Sequence, residues 1–64
     1  MIYAYVVKNK RGLYWTPSYL LDDIRYASIF ERKEQAIEEL NEYGGHNWRN
    51  EYQIVKIGIV EYGN

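Results

Sequence analysis

Lys33-Glu34-Gln35-Ala36-Ile37-Glu38-Glu39-Leu40-Asn41-Glu42-Tyr43, followed by Gly44-Gly45, is the stretch that decides the fold. Ala36, Ile37, Leu40 and Tyr43 recur at the offsets that share one side of a helix. Glu34, Glu38 and Glu42 recur every fourth residue along the other side. The glycine pair stops the run, because glycine readily takes the left-handed conformation found just past helix C-termini. The spacing predicts a helix over 33–43. Its start is less tidy, since Arg32 stands where Ser, Thr, Asp or Asn would cap. Glu31 and Glu34 partly offset that through the positive end of the helix dipole.

Strand signals lie on both sides of the helix. Met1 to Lys8 is β-branched and aromatic, and Asn9-Lys10-Arg11-Gly12 is a turn signal. Leu13-Tyr14-Trp15-Thr16 reads as a short return strand stopped by Pro17. Ser18 to Arg25 reads as an irregular connection with Leu20 and Leu21 tucked under the sheet. Tyr26 to Phe30 reads as a third strand. After the helix, His46 to Glu51 reads as a polar loop around Trp48, and Tyr52 to Tyr62 as the longest strand. The chain thus reads as a single α+β domain over 1–64, in the order β-β-β-α-β.

A meander of the first three strands would return the fourth parallel to the first, by the handedness of crossover connections. The expected spatial order is 4-1-2-3. One helix covers one sheet face. Ile2, Ala4, Val6, Ile29, Val55, Ile57 and Ile59 are assigned to that face, against Ile37 and Leu40. The opposite face then carries Tyr3, Tyr5, Val7, Ile54 and Val60, where a water-facing sheet would show polar residues. An apolar face of that kind marks an interface. A second copy of the chain, another protein, or the 18–25 connection would cover it.

Composition narrows the function classes. The chain has 64 residues and no cysteine, which removes disulfides and thiolate zinc sites. So short a chain buries only about 60% of its unfolded surface. Self-association is one of the few remaining ways to stabilise it, and a homodimer is expected. Eight Lys and Arg against nine Asp and Glu give a net charge of -1, without the broad basic patch of a nucleic-acid binder. No apolar run approaches the ~20 residues that span a bilayer, and the N-terminus lacks the pattern of a signal peptide. A cytoplasmic setting is expected.

No motif for catalysis, metal or cofactor binding emerges. His46 is the lone histidine, flanked by Gly45 and Asn47, without the converging ligands a metal needs. Asp22-Asp23 lacks the alternating oxygens of a calcium loop. Gly44-Gly45 follows a helix instead of preceding one, so it is no phosphate cradle. The glutamate stripe reads as a solvated helix face, with phosphate mimicry the functional alternative. Aromatics reach 17% of the chain, and Tyr and Trp are enriched at interfaces. Tyr3, Tyr5, Trp15, Trp48 and Tyr62 are the candidate partner-binding residues. Base stacking on Tyr3 and Tyr5, beside Lys8, Lys10, Arg11 and Lys56, is the nucleic-acid alternative.

Ala27-Ser28-Ile29-Phe30, then Lys33, Ala36-Ile37 and Leu40, resembles a strand-to-helix junction found in tiny proteins of phages and prophages of Gram-positive bacteria. Tyr52-Gln53-Ile54-Val55-Lys56-Ile57 resembles their closing strand. Arg32 departs from the Ser or Thr such junctions often place at the cap. The resemblance implies an accessory protein that acts by binding, either on a host enzyme or defence system or on host transcription or replication. It implies no particular functional residue.

Overall fold

The first hairpin closes through side-chain and backbone bonds together. A computed structural model describes residues 2–16 and 20–60. The Asn9 carboxamide oxygen accepts from the backbone N–H of Arg11 and of Leu13, both at 2.9 Å. The Gly12 N–H donates to the Asn9 carbonyl at 3.1 Å, and Gly12 takes φ 81°. A turn ending in a left-handed residue is the usual three-residue hairpin loop, and glycine adopts it without strain. It joins β1 (Ile2–Asn9) to β2 (Tyr14–Trp15).

The chain then makes β3 (Leu20–Leu21), antiparallel to β2. A 3-10 turn over Ile24–Tyr26 follows, capped by the Asp23 carboxylate, which accepts from the Arg25 N–H at 2.9 Å. Phe30 forms one antiparallel bridge with Tyr5. Next come α1 (Lys33–Tyr43), the short α2 (Trp48–Glu51) and β4 (Tyr52–Ile59). The sheet order is β3-β2-β1-β4. This is an α+β fold with β1 between β2 and β4, as expected.

Strand direction differs from expectation. β4 runs antiparallel to β1 along its whole length, from Ile2 opposite Ile59 to Asn9 opposite Tyr52. The reason is one overlooked reversal. Leu20–Leu21 is a strand, not part of an irregular connection, whereas Tyr26 is in a 3-10 turn and only Phe30 pairs. The added reversal leaves Phe30 antiparallel to β1. The helix then returns the chain for a strand running the same way as Phe30, which is antiparallel to β1.

Helix α1 has the predicted bounds, and Gln35 explains how it starts without a good cap. The Gln35 carboxamide oxygen accepts from the Glu31 N–H at 2.9 Å and the Arg32 N–H at 3.1 Å. That is the glutamine half of a capping box. At the other end the Gly44 N–H donates to the Leu40 carbonyl at 2.8 Å. A Cβ on Gly44 would lie 2.7 Å from that carbonyl oxygen and 3.0 Å from the Trp48 Cβ. Glycine is required there by close approach.

The core is aromatic and lies at the hairpin end. Val7, Trp15, Ala36, Leu40 and Trp48 form one buried cluster, with Leu20, Phe30, Ile37, Tyr52 and Ile54 packed against it. Trp15 meets Tyr52 edge to face, with centroids 5.3 Å apart. Both indoles keep a partner for the ring N–H. Trp48 donates to the Asn41 side chain at 2.8 Å, and Trp15 donates to the Glu39 carboxylate at a long 3.5 Å. Trp48 thus lies in a helix and the core, not in a polar loop. Tyr43, expected on the buried helix face, is 64% exposed.

Candidate protein-binding surface

Strand alternation divides β1 and β4 into two sets. Tyr3, Tyr5 and Val7 share a face with Ile54 and Lys56, and Val7 and Ile54 touch the helix cluster. Helix α1 therefore covers the tyrosine side, the reverse of the expected assignment. The other face holds Ile2, Ala4, Val6, Val55, Ile57 and Ile59. Phe30 packs on the helix side, so alternation about its bridge turns Ile29 to this second face. All seven residues grouped from the sequence do share a face, but it is the one without the helix.

The physical reason lies in the aromatic residues gathered at the hairpin end. Trp15 and Trp48 join Val7, Ala36 and Leu40 in one buried cluster with Tyr52 packed against it, and aromatic rings bring the largest apolar area per side chain. The helix sits on the face that carries these rings.

The face without the helix is nearly all aliphatic. Ala4 and Val6 are buried, while Val55 and Ile57 are half-buried. Ile2 is 67% exposed, Ile29 58% and Ile59 40%. Ile2 and Ile59 stand directly opposite one another on neighbouring strands. At the far end of this face Lys8 lies over the Tyr14 ring at 5.2 Å, so its charge begins only beyond Val6.

The partner-binding candidates separate. Trp15 and Trp48 are buried, which leaves them little surface to offer. Tyr5 is half-buried, and Tyr3 is half exposed on the helix side with the Lys56 ammonium 4.3 Å above its ring. Tyr62 lies outside the described residues. Val60, expected on the tyrosine face of the last strand, follows β4 and is 55% exposed. Sequence reading missed Ile2, Ile29 and Ile59 as contact residues because it placed the helix over them. Their signal was present in the apolar alternation itself.

The rest of the surface offers shallow depressions. One, about 350 Å³, lies beside the hairpin turn among Asn9, Lys10, Arg11, Leu20, Glu51 and Tyr52. His46 is exposed beside another, near Glu42 and Arg49. No group of three metal-ligating side chains exists among the described residues. The Arg25 guanidinium at 2.6 Å holds the Asp23 carboxyl below its ordinary range. Glu42 raises the Tyr43 hydroxyl above its own. Both are exposed surface effects. Among the described residues no helix is long and apolar enough to cross a membrane. Neither a family model, nor a curated protein, nor a solved structure matches this chain.

Proposed function

We propose that this chain is a non-catalytic binding protein that closes its aliphatic sheet face on another protein. The observation that carries the reading is the exposed Ile2, Ile29 and Ile59 around half-buried Val55 and Ile57. A sheet face kept for water carries mostly polar residues. This one exposes isoleucine where serine, threonine or lysine would serve solubility better. In the setting implied by the resemblance, the chain is a phage or prophage accessory protein in the host cytoplasm. Its target is a host protein, such as a defence or nucleic-acid-processing enzyme.

The nucleic-acid alternative has less support. Base stacking needs open aromatic faces, yet Tyr5 is half-buried and Lys56 occupies one side of Tyr3. The basic side chains Lys10, Arg11 and Arg49 lie around the hairpin end, where Glu51 intervenes.

The test is a tagged pull-down from nuclease-treated lysate of a Gram-positive host, repeated with Ile29→Ser and with Tyr3→Ser. A host protein retained by Tyr3→Ser, lost by Ile29→Ser and reconstituted from purified components supports the aliphatic face. Loss with Tyr3→Ser alone moves the contact to the helix side. Recovery of nucleic acid only, when nuclease is omitted, overturns the protein-binding reading.

A further inference from the structure

β4 is an edge strand, and among the described residues nothing pairs with its outer side. Which backbone groups face outward follows from the β1 bonds. The Tyr5 N–H donates to Phe30 and its carbonyl accepts from Phe30, while the Asn9 N–H donates to Leu13. The odd-numbered residues of β1 therefore point their polar groups away from β4. Its even-numbered residues point toward β4, and they stand opposite Gln53, Val55, Ile57 and Ile59. Alternation then turns the N–H and C=O of Tyr52, Ile54, Lys56 and Gly58 outward. An eight-residue edge rich in Ile and Val invites another strand unless charge, proline or a bulge blocks it. The only charge within β4 is Lys56, and its ammonium lies over Tyr3 of its own sheet.

We propose that a second copy of this chain pairs antiparallel along the outer edge of β4, with the two-fold axis at Ile57. Symmetry restricts the register, because opposed residues must share a face and so differ by an even number. Centring on Lys56 would set lysine against lysine. Centring on Ile57 sets Ile57 beside its own copy, Val55 beside Ile59 and Ile54 beside Val60. It also sets Lys56 beside Gly58, the one strand position with no side chain to crowd it. Lys56 and Gly58 then exchange both backbone bonds, as do Ile54 and Val60.

The self-complementary register and the charge favour this occupant. A net charge of -1 per copy gives little repulsion between two copies. The pairing joins two four-stranded sheets edge to edge and lays their aliphatic faces side by side. The pairing is made by the backbone edge of β4 and target binding by exposed aliphatic side chains, so Gly58→Pro tests the first and Ile29→Ser the second.

The chain has no cysteine, so single-cysteine variants report the register cleanly. Opposed residues in a non-hydrogen-bonded antiparallel pair have Cα atoms about 4.5 Å apart, within disulfide reach. Ile57→Cys is expected to cross-link into a dimer under mild oxidation, and Val55→Cys is not, while Val55→Cys with Ile59→Cys is. Gly58→Pro removes an outward donor without touching the β1 ladder. It is expected to weaken the dimer about 30-fold or more, the loss of two ordinary hydrogen bonds, with unchanged circular dichroism. Sedimentation of the wild type at a single-chain mass of 7.7 kDa across the micromolar range overturns the proposal. So does a dimer that survives Gly58→Pro but is lost with Ile2→Ser, which would be a face-to-face sandwich. If Gly58→Pro does not fold, the cysteine pattern still decides.

Discussion

The two faces of the β1–β4 ribbon, one carrying tyrosines and the other nearly all aliphatic, have opposite fates. On the helix side Val7 has no exposure, enclosed by Trp15, Leu40, Ala36 and Trp48. On the other side Val6 is equally buried, yet Ile2 and Ile59, paired farther along the ribbon, and Ile29 remain open. Aliphatic content therefore does not say which face becomes the core. The aromatic residues that flank the strands do, because each brings more apolar area and a polar handle that can be satisfied at the rim. The indole bond from Trp48 to Asn41 is such a handle.

Truncating each face separates their roles. The largest effect is expected from Leu40→Ala on the helix side, where the side chain is fully buried. Such truncations remove about 2–5 kcal/mol, comparable with the whole net stability of about 3–5 kcal/mol that one small core supplies. Urea titration followed by circular dichroism should find this variant largely unfolded at 25 °C. A cooperative, near-native transition would break the comparison by showing that the helix is not what holds the sheet.

Gly44→Ala comes next. Its Cβ would press on the Leu40 carbonyl and on Trp48, and overpacking of that kind typically costs about 1–3 kcal/mol. Thermal denaturation would register it as a lowered Tm. An unchanged Tm would mean that α2 shifts freely and is no fixed wall of the core.

Gln35→Ala sharpens the account of how α1 starts. It removes the acceptor for two backbone N–H groups, and lost caps typically cost about 1 kcal/mol. The urea midpoint should fall with no change in slope. A concurrent change in slope would place the effect in the unfolded chain.

The smallest effect belongs to the open face. Ile2→Ser removes an exposed side chain whose main neighbour is Ile59 across the strand pair. Such pairs contribute roughly 0.2–1 kcal/mol, so the urea midpoint should shift little. A loss as large as that of Leu40→Ala would make this face a second core and remove it as a binding surface.

Much of the architecture is legible in particular residues. The helix bounds follow from Lys33 to Tyr43 and the glycine pair, and the hairpin follows from Asn9 and Gly12. Both depend on interactions between residues close in sequence. The capping role of Gln35 is also written in its position three residues beyond Arg32, the spacing of a capping box. Among the candidate contact residues, Trp15 and Trp48 belong to the core and Tyr3 lies under Lys56. Aromatic residues carry the same signal whether they fill a core or an interface, so composition could not separate the two.

Local chemistry in the sequence determined the helix, the turn, the strand alternation and the sorting of seven aliphatic residues onto one face. These depend on backbone geometry with periods of two and 3.6 residues. Only the tertiary structure decided which face the helix covers and which way β4 runs. The direction hung on the two-residue strand Leu20–Leu21, too short to have a period of its own. The choice of face hung on Trp15, Trp48 and Tyr52, brought together around Val7 from three separate elements. Burial is a sum over such distant partners, and no window of sequence contains it.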